Sequence, residues 1–321
     1  MEIDGPINLT TLAKHFSDEE AAYLLMERIR WGNPVEPSCP HCGVIGEATY
    51  LQPKGDGRTT NRGKVSKRRV WKCRACKRQF SVLVGTIFEG SHVPLAKWLL
   101  AIHLMCSNKN GVSAHELHRG LPVSYKTAWF MEHRIRYAMT QSPLREKLSG
   151  EVEADETYFG WRTKHGYGGR GKTPIVTLIE RETGEARSQI VPRVTGAKLH
   201  RILLEEVERD AVLMTDQLPG YRKAGPDFAE HHAVNHGKDE YARTTRNGRR
   251  AHVNSAEGFF SQLKRGIDGT HHHVSEEHLH RYVAEYDFRY STRKMSDTAR
   301  TMKAIQQSAG KRLTYREPTA N

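Results

Sequence analysis

Residues 151–159 read Glu151-Val152-Glu153-Ala154-Asp155-Glu156-Thr157-Tyr158-Phe159, a strand-length segment that sets an acid, Asp155, among apolar and β-prone neighbours. It follows Ser149-Gly150, where the texture of the chain changes from helical to strand-like. A second strand is expected over Thr173–Ile179, joined through Arg181-Glu182-Thr183-Gly184 to a third over Ala186–Val194. An amphipathic helix then turns Leu199, Ile202, Leu203 and Val207 inward, and a short apolar strand, Ala211–Thr215, ends at Asp216. Helices over Asn254–Arg265 and Glu276–Tyr290 complete the region. Three strands followed by helix, strand and helix is an α/β order with a mixed sheet.

In such folds chemistry gathers at strand ends, which is where Asp216 falls. Two carboxylates on neighbouring strands, Asp155 and Asp216, with a third from a helix that opens Asn254-Ser255-Ala256-Glu257, can hold two Mg²⁺ ions about 4 Å apart for phosphoryl transfer. Hard oxygen donors suit Mg²⁺ or Mn²⁺ rather than Zn²⁺. The same residues allow plainer readings: Asn254 and Glu257 have the spacing of an N-cap and capping box, and Asp216 could be a turn acid.

Upstream, Cys39-Pro40-His41-Cys42-Gly43 and Cys73-Arg74-Ala75-Cys76 each offer two thiolates on a tight turn. Four thiolates close a tetrahedral Zn²⁺ site, leaving no open position, so the expected role of Cys39, Cys42, Cys73 and Cys76 is structural. The fifth cysteine, Cys106, sits on an apolar helical stripe and is expected in the core. The segment between the pairs is longer than a usual ribbon needs and should project as a hairpin. From Pro53 to Arg78 it carries eleven Lys or Arg and one acid, Asp56. Lys67, Arg68 and Arg69 are the expected DNA contacts there.

The ribbon is flanked by helical segments. Leu9, Leu12, Ala13 and Phe16 have helical spacing, and Ser17-Asp18-Glu19-Glu20 caps a second helix reaching about Trp31. After the ribbon, Leu95, Trp98, Leu99, Ile102 and Met105 form one stripe. Ser113 then caps a short helix ending at Gly120, and Ser124 caps a longer one. The last two resemble a helix-turn-helix, a pattern any αα-hairpin also shows.

Across 321 residues the formal net charge is +13, with 37% hydrophobic and 27% charged residues. That surplus points to a polyanion, because each Lys or Arg set on a phosphate releases a counterion. No secretory signal or membrane-length apolar run is visible, and paired cysteines suit a reducing compartment, so a cytoplasmic protein without membrane contact is expected.

Read together, Glu153-Ala154-Asp155-Glu156-Thr157-Tyr158, Met214-Thr215-Asp216 and the run from His252 to Arg265 resemble the zinc-ribbon transposases of bacterial insertion sequences, the ISXO-like group. Gly85-Thr86-Ile87-Phe88, Lys126-Thr127-Ala128-Trp129 and Phe288-Arg289-Tyr290 add to the likeness, which runs from about Cys39 to Arg293. The resemblance implies an α/β ribonuclease H-like (integrase-like) catalytic core, preceded by a zinc ribbon and a small helical, helix-turn-helix-like domain. The expected divisions are a helical lead (1–36), ribbon (37–82), helical DNA-binding unit (83–145), catalytic core (146–296) and a loose polar tail (297–321).

It further implies that Asp155 and Asp216 are metal ligands. The third ligand is Glu257 or Asn254, since members of the group are described with either residue type; Glu257 is favoured as the better cation ligand. Lys264, Arg265 and Lys126 join the expected DNA contacts. The implied partners are duplex DNA, both terminal inverted repeats and target, with the chain acting as a homo-oligomer on that DNA. Two other activities fit the same residues: a hydrolysis-only nuclease and a zinc-ribbon DNA-binding regulator. The Gly-rich basic segment Trp161–Lys172 is read as a DNA-facing insertion, and His271-His272-His273 as a loop beside the DNA rather than a metal site. His231, His232 and His236 are expected to pack at a strand edge, and Tyr282, Tyr286, Phe288 and Tyr290 to fill helix core.

Overall fold

In a computed structural model of the chain, residues 18–32, 34–53, 55, 57–59, 63, 65–142, 144–160, 172–235 and 242–314 are described. They divide into a unit of residues 1–139 with 295–321 and a unit of residues 140–294. The first unit opens with helix α1 (Glu19–Trp31), whose N-cap Asp18 accepts the Glu20 N–H. The helical spacing expected over Leu9–Phe16 lies outside the described residues.

Strands β1 (Ala48–Tyr50), β4 (Trp71–Cys73) and β5 (Gln79–Phe80) form an antiparallel sheet in the order β1-β4-β5. Between β1 and β4, β2 (Arg58–Thr59) and β3 (Val65–Ser66) pair as the expected hairpin. Helix α1 docks on this ribbon through Trp31, which meets Trp71 and Phe80 edge-on at 5.8 and 5.9 Å.

One expected DNA contact has other work here. Arg69 donates to the wholly buried Glu27 carboxylate at 3.0 Å and lies 4.1 Å over the Tyr50 ring, while the Trp71 indole donates to the same carboxylate at 2.8 Å. Removing Arg69 leaves an uncompensated buried charge. Arg69→Met is therefore expected to destabilise the first unit by about 3–5 kcal/mol, read as a lower urea midpoint; an unchanged midpoint would show the pair to be dispensable. Arg68 donates to Ser81 Oγ at 2.9 Å, and exposed Lys67 pairs with exposed Asp18 at 3.2 Å.

Helices α2 (Leu95–Ser107), α3 (Ala114–Gly120) and α4 (Tyr125–Met139) follow. The α2 stripe and Cys106 are buried. Ser113 and Glu116 form a reciprocal capping box at α3, and Ser124 Oγ accepts the Thr127 N–H at the start of α4.

The second unit is built on a five-stranded mixed sheet of β6 (Glu151–Phe159), β7 (Thr173–Glu180), β8 (Ala186–Ile190), β9 (Val212–Asp216) and β10 (Glu230–Val234), ordered β10-β9-β6-β7-β8. Strands β6, β7 and β8 are successive antiparallel neighbours, whereas β9 and β10 run parallel to β6. Strand β7 is buried almost throughout, because both sheet faces are covered. On one face Val176 and Leu178 meet Leu199, Ile202 and Leu203 of α5 (Gly196–Glu206). On the other, Ile175 and Ile179 meet Phe259 and Leu263 of α6 (Asn254–Gly266) and Tyr282 and Tyr286 of α7 (Glu276–Ser291). Gly266 lets these two helices close up: a Cβ there would lie 1.6 Å from the Tyr286 hydroxyl. A small hairpin, β11 (Arg243–Thr244) with β12 (Arg250–Ala251), precedes α6.

The polar tail expected to be loose from 297 is corrected. Asp297–Gln306 forms helix α8 in the first unit, with Thr301, Ala304 and Ile305 buried. Its Thr301 hydroxyl lies 3.1 Å from His103 Nδ1, and Arg300 donates to the Cys106 carbonyl at 2.8 Å. Only three buried positions on a ten-residue polar helix gave the sequence little apolar signal.

Candidate active site

The parallel register of β6 and β9 pairs Glu153 with Met214 and Ala154 with Thr215. The next step sets Asp155 beside Asp216, both half-buried on the sheet face that α6 and α7 cover. Asp155 Oδ1 accepts the Glu156 N–H at 2.8 Å, and Asp216 Oδ1 accepts the Leu218 N–H at 2.9 Å, so each side chain is oriented by its own backbone.

A third acid completes the cluster, and it is one the sequence reading passed over. Glu156 offers an oxygen that lies, with those of Asp155 and Asp216, within 4.8 Å of one another. The buried Tyr221 hydroxyl, from the turn just after Asp216, donates to Glu156 Oε2 at 3.1 Å. The available signal was the consecutive Asp155-Glu156 pair, but neighbours on a strand face opposite ways, so spacing alone does not bring the second acid to the site of the first.

Burial raises the Asp155 carboxyl to about 8 against its backbone hydrogen bond, and the charges of Glu156, Asp216 and Glu257 add to the rise. Burial and the Asp216 charge likewise lift Glu156 to about 7, opposed by the Tyr221 bond. Crowded carboxylates that resist ionisation fit a cation, which would relieve both burial and repulsion. Oxygens sharing one Mg²⁺ at about 2.1 Å are at most about 4.2 Å apart, so a small closing of side chains suffices.

Glu257 and Asn254 stand on the first turn of α6. Glu257 is half-buried, its charge felt at Asp155, while Asn254 is exposed with its N–H on His252 Nδ1 at 3.3 Å. The capping-box alternative is not what holds this turn, because the N-cap is Val253 without a side-chain bond. The fully buried Glu153 does so instead. It accepts the Ser255 and Ala256 N–H groups at 2.8 and 3.2 Å and the Ser255 hydroxyl at 2.9 Å. Arg181 donates to it at 2.7 Å. The helix N-terminus is thus fastened to the strand that carries Asp155.

In the first unit, the Cys39–Cys76 and Cys42–Cys73 sulfurs are each 3.7 Å apart, and all four lie within 4.8 Å. A tetrahedron with Zn–S bonds of about 2.3 Å has edges of about 3.8 Å, so the thiols fit Zn²⁺. The N–H of Cys76, with that of Ala75, brings the Cys73 thiol down to about 7 against burial. Both knuckles turn through left-handed residues, Gly43 and Lys77.

Among the described residues these two groups are the clusters able to share an ion. His271, His272 and His273 are not among them; His271 stacks edge-on against Tyr282 at 4.8 Å. His231 lies 2.9 Å from Thr215 Oγ1 and His232 2.8 Å from Glu230, whereas His236 and residues 161–171 lie outside the described residues. Lys264 and Arg265 are exposed on α6, and Lys126 is exposed on α4.

Adjacent carboxylates, Asp155 within β6 and Asp216 at the end of β9, thus stand on a mixed sheet in a chain that also carries a four-cysteine ribbon. Residues 147–291 match the ISXO2-like transposase domain and residues 17–79 the transposase zinc-ribbon domain. An uncharacterized protein in transposable element ISH50 of Halobacterium salinarum is 30% identical over 295 residues, spanning 86% of this chain and 92% of that protein. The chain belongs to this family of zinc-ribbon, ISXO2-like insertion-sequence transposases, whose catalytic domain has a ribonuclease H-like core. Among solved structures, a chain from the cryoEM structure of the simian T-cell lymphotropic virus intasome in complex with PP2A regulatory subunit B56 gamma is similar at 12% identity. That match covers 58% of this chain and 68% of the other with a TM-score of 0.28, too distant a likeness to weigh in the assignment. No helix among the described residues is long and apolar enough to cross a membrane.

Proposed function

We propose that this transposase cleaves insertion-sequence ends with water and then transfers the freed 3′-hydroxyl strand to target DNA, using two divalent ions, Mg²⁺ or Mn²⁺. The observation that carries this is the side-by-side setting of Asp155 and Asp216, with Glu156 as a third oxygen donor in the same cluster. Asp155 and Asp216 hold the ions, Glu156 contributes an oxygen steadied by Tyr221, and Glu257 closes the site from α6. When bound, the ions would activate the attacking oxygen and stabilise the leaving one. The protein's own task is positioning: Glu153 and Arg181 hold the α6 turn in place, and the Leu218 N–H orients Asp216. In the ribbon, Cys39, Cys42, Cys73 and Cys76 hold one Zn²⁺. Lys264, Arg265, Lys67, Arg68 and Lys126 contact phosphates of end or target DNA, and the α3–α4 pair reads duplex as a helix-turn-helix. Copies of the chain assemble on paired ends in the cytoplasm.

Which residue of α6 serves as a ligand is decided by single-turnover cleavage of labelled end DNA with Mg²⁺. Glu257→Gln is expected to be inactive and Asn254→Ala merely slowed. The reverse order would move the ligand role to Asn254.

A further inference from the structure

The β11–β12 hairpin lies on the sheet face that carries Asp155 and Asp216, its Ala251 against Val212 and Met214 of β9. Its turn is a tight one: Gly248 N–H bonds the Thr245 carbonyl at 3.0 Å, Thr245 N–H bonds the Arg249 carbonyl at 2.8 Å, and Gly248 takes the left-handed conformation, φ 76°. Ala251 packs in a small core with Val212, Met214, Val234 and Val253. The base is bolted down by ion pairs. Arg249 reaches Glu151 at 3.4 Å and Glu230 at 3.8 Å, and Arg181 donates to the Arg250 carbonyl at 2.9 Å.

Arg243, Arg246 and Arg250 are exposed, and no ion pair or hydrogen bond ties their guanidinium groups to another described residue. The acids beneath the hairpin, Glu151 and Glu230, pair with Arg181, His232 and Arg249, and among the described residues none engages the three exposed arginines, which form a cationic surface suited to a polyanion. The partner Glu151 is four residues before Asp155 on β6, roughly 13 Å along an extended strand. That is about four base-pair steps at about 3.4 Å each. We propose that this hairpin is a DNA-gripping surface of the catalytic unit, in which Arg243, Arg246 and Arg250 contact backbone phosphates of duplex whose reacting phosphate lies at Asp155 and Asp216. The inference rests on the transposase reading above and extends it to a surface that the acidic site alone, which repels phosphate, does not provide.

The test uses the 321-residue, zinc-loaded chain and a fluorescein-labelled duplex of arbitrary sequence, with binding measured by anisotropy across a salt series. The combined substitution Arg243→Gln, Arg246→Gln, Arg250→Gln is expected to weaken binding about tenfold or more at low salt. It should also make the slope of log affinity against log salt shallower by up to about 2.7, since each phosphate contact contributes about 0.9. Thermal midpoints should match, because none of the three side chains has a bonded partner among the described residues. Arg243→Lys, Arg246→Lys, Arg250→Lys should keep the slope. An unaltered chain that binds duplex, with an unchanged slope in the glutamine variant, overturns the hairpin proposal alone. An unaltered chain that binds no duplex overturns the functional reading as well.

Discussion

Asp155→Asn and Asp216→Asn are expected to bind end DNA as tightly as the unaltered chain and to cut it about a thousandfold more slowly or worse in Mg²⁺. The reason is the division of labour at the cluster. Each carboxylate gives an oxygen to ions that act only on the reacting phosphate, so its loss raises the barrier by roughly 4 kcal/mol. The ground state loses nothing comparable. Burial first, and then its acidic neighbours, raise the Asp155 carboxyl to about 8, so ionising it in the metal-free protein is costly, and asparagine, which stays neutral, avoids that cost. Asparagine can still accept the Glu156 N–H. The fold should therefore be kept, and affinity for phosphate should be equal or slightly higher. Equal loss of binding and cleavage in an anisotropy and single-turnover pair would mean that these acids support the structure rather than the chemistry.

Removal of zinc should have the second large effect, in the first unit. The three-stranded ribbon is short, its strands being two or three residues long, and it cannot outweigh chain entropy without a closing ion. Cys73→Ser removes a buried ligand whose sulfur lies 3.7 Å from that of Cys42. Ribbon and α1 should come apart together, because Trp31 packs on Trp71 and Phe80 and Glu27 is bonded from Arg69 and Trp71. Indole fluorescence should shift to the red on chelation, metal analysis should give about one zinc per chain before it and none in Cys73→Ser, and re-added Zn²⁺ should restore the unaltered chain. Fluorescence indifferent to chelation, or a Cys39–Cys42 disulfide in the folded protein, would contradict this account.

Much of the architecture was legible because apolar periodicity and punctuation agree. Thr173–Glu180 reads as a continuous apolar run because both sheet faces are covered, and Leu199, Ile202 and Leu203 mark α5 by their spacing. Asp155 and Asp216 stood out as acids on apolar strands. What stayed hidden depends on tertiary partners. Strand β10 reads Glu230-His231-His232-Ala233-Val234, polar because it is the sheet's edge, and only its pairing with β9 defines it. Asn247-Gly248 is a hairpin signal, but its strands are two residues long and rich in arginine. Glu156 joins the cluster through Tyr221, 65 positions away in sequence, and Glu153 caps a helix about a hundred residues further on. Arg69 looked like part of a basic run; the buried Glu27 that takes it out of that run is 42 residues distant.

The central claim, that this chain joins DNA as well as cutting it, is tested most directly by incubating end DNA labelled at the 5′ end of the transferred strand with an unlabelled target duplex, protein and Mg²⁺. The account predicts label covalently joined to target strands, dependent on Mg²⁺ or Mn²⁺ and absent with Asp155→Asn. Label found only in short cleaved products, or left uncut while the duplex is bound, would contradict it.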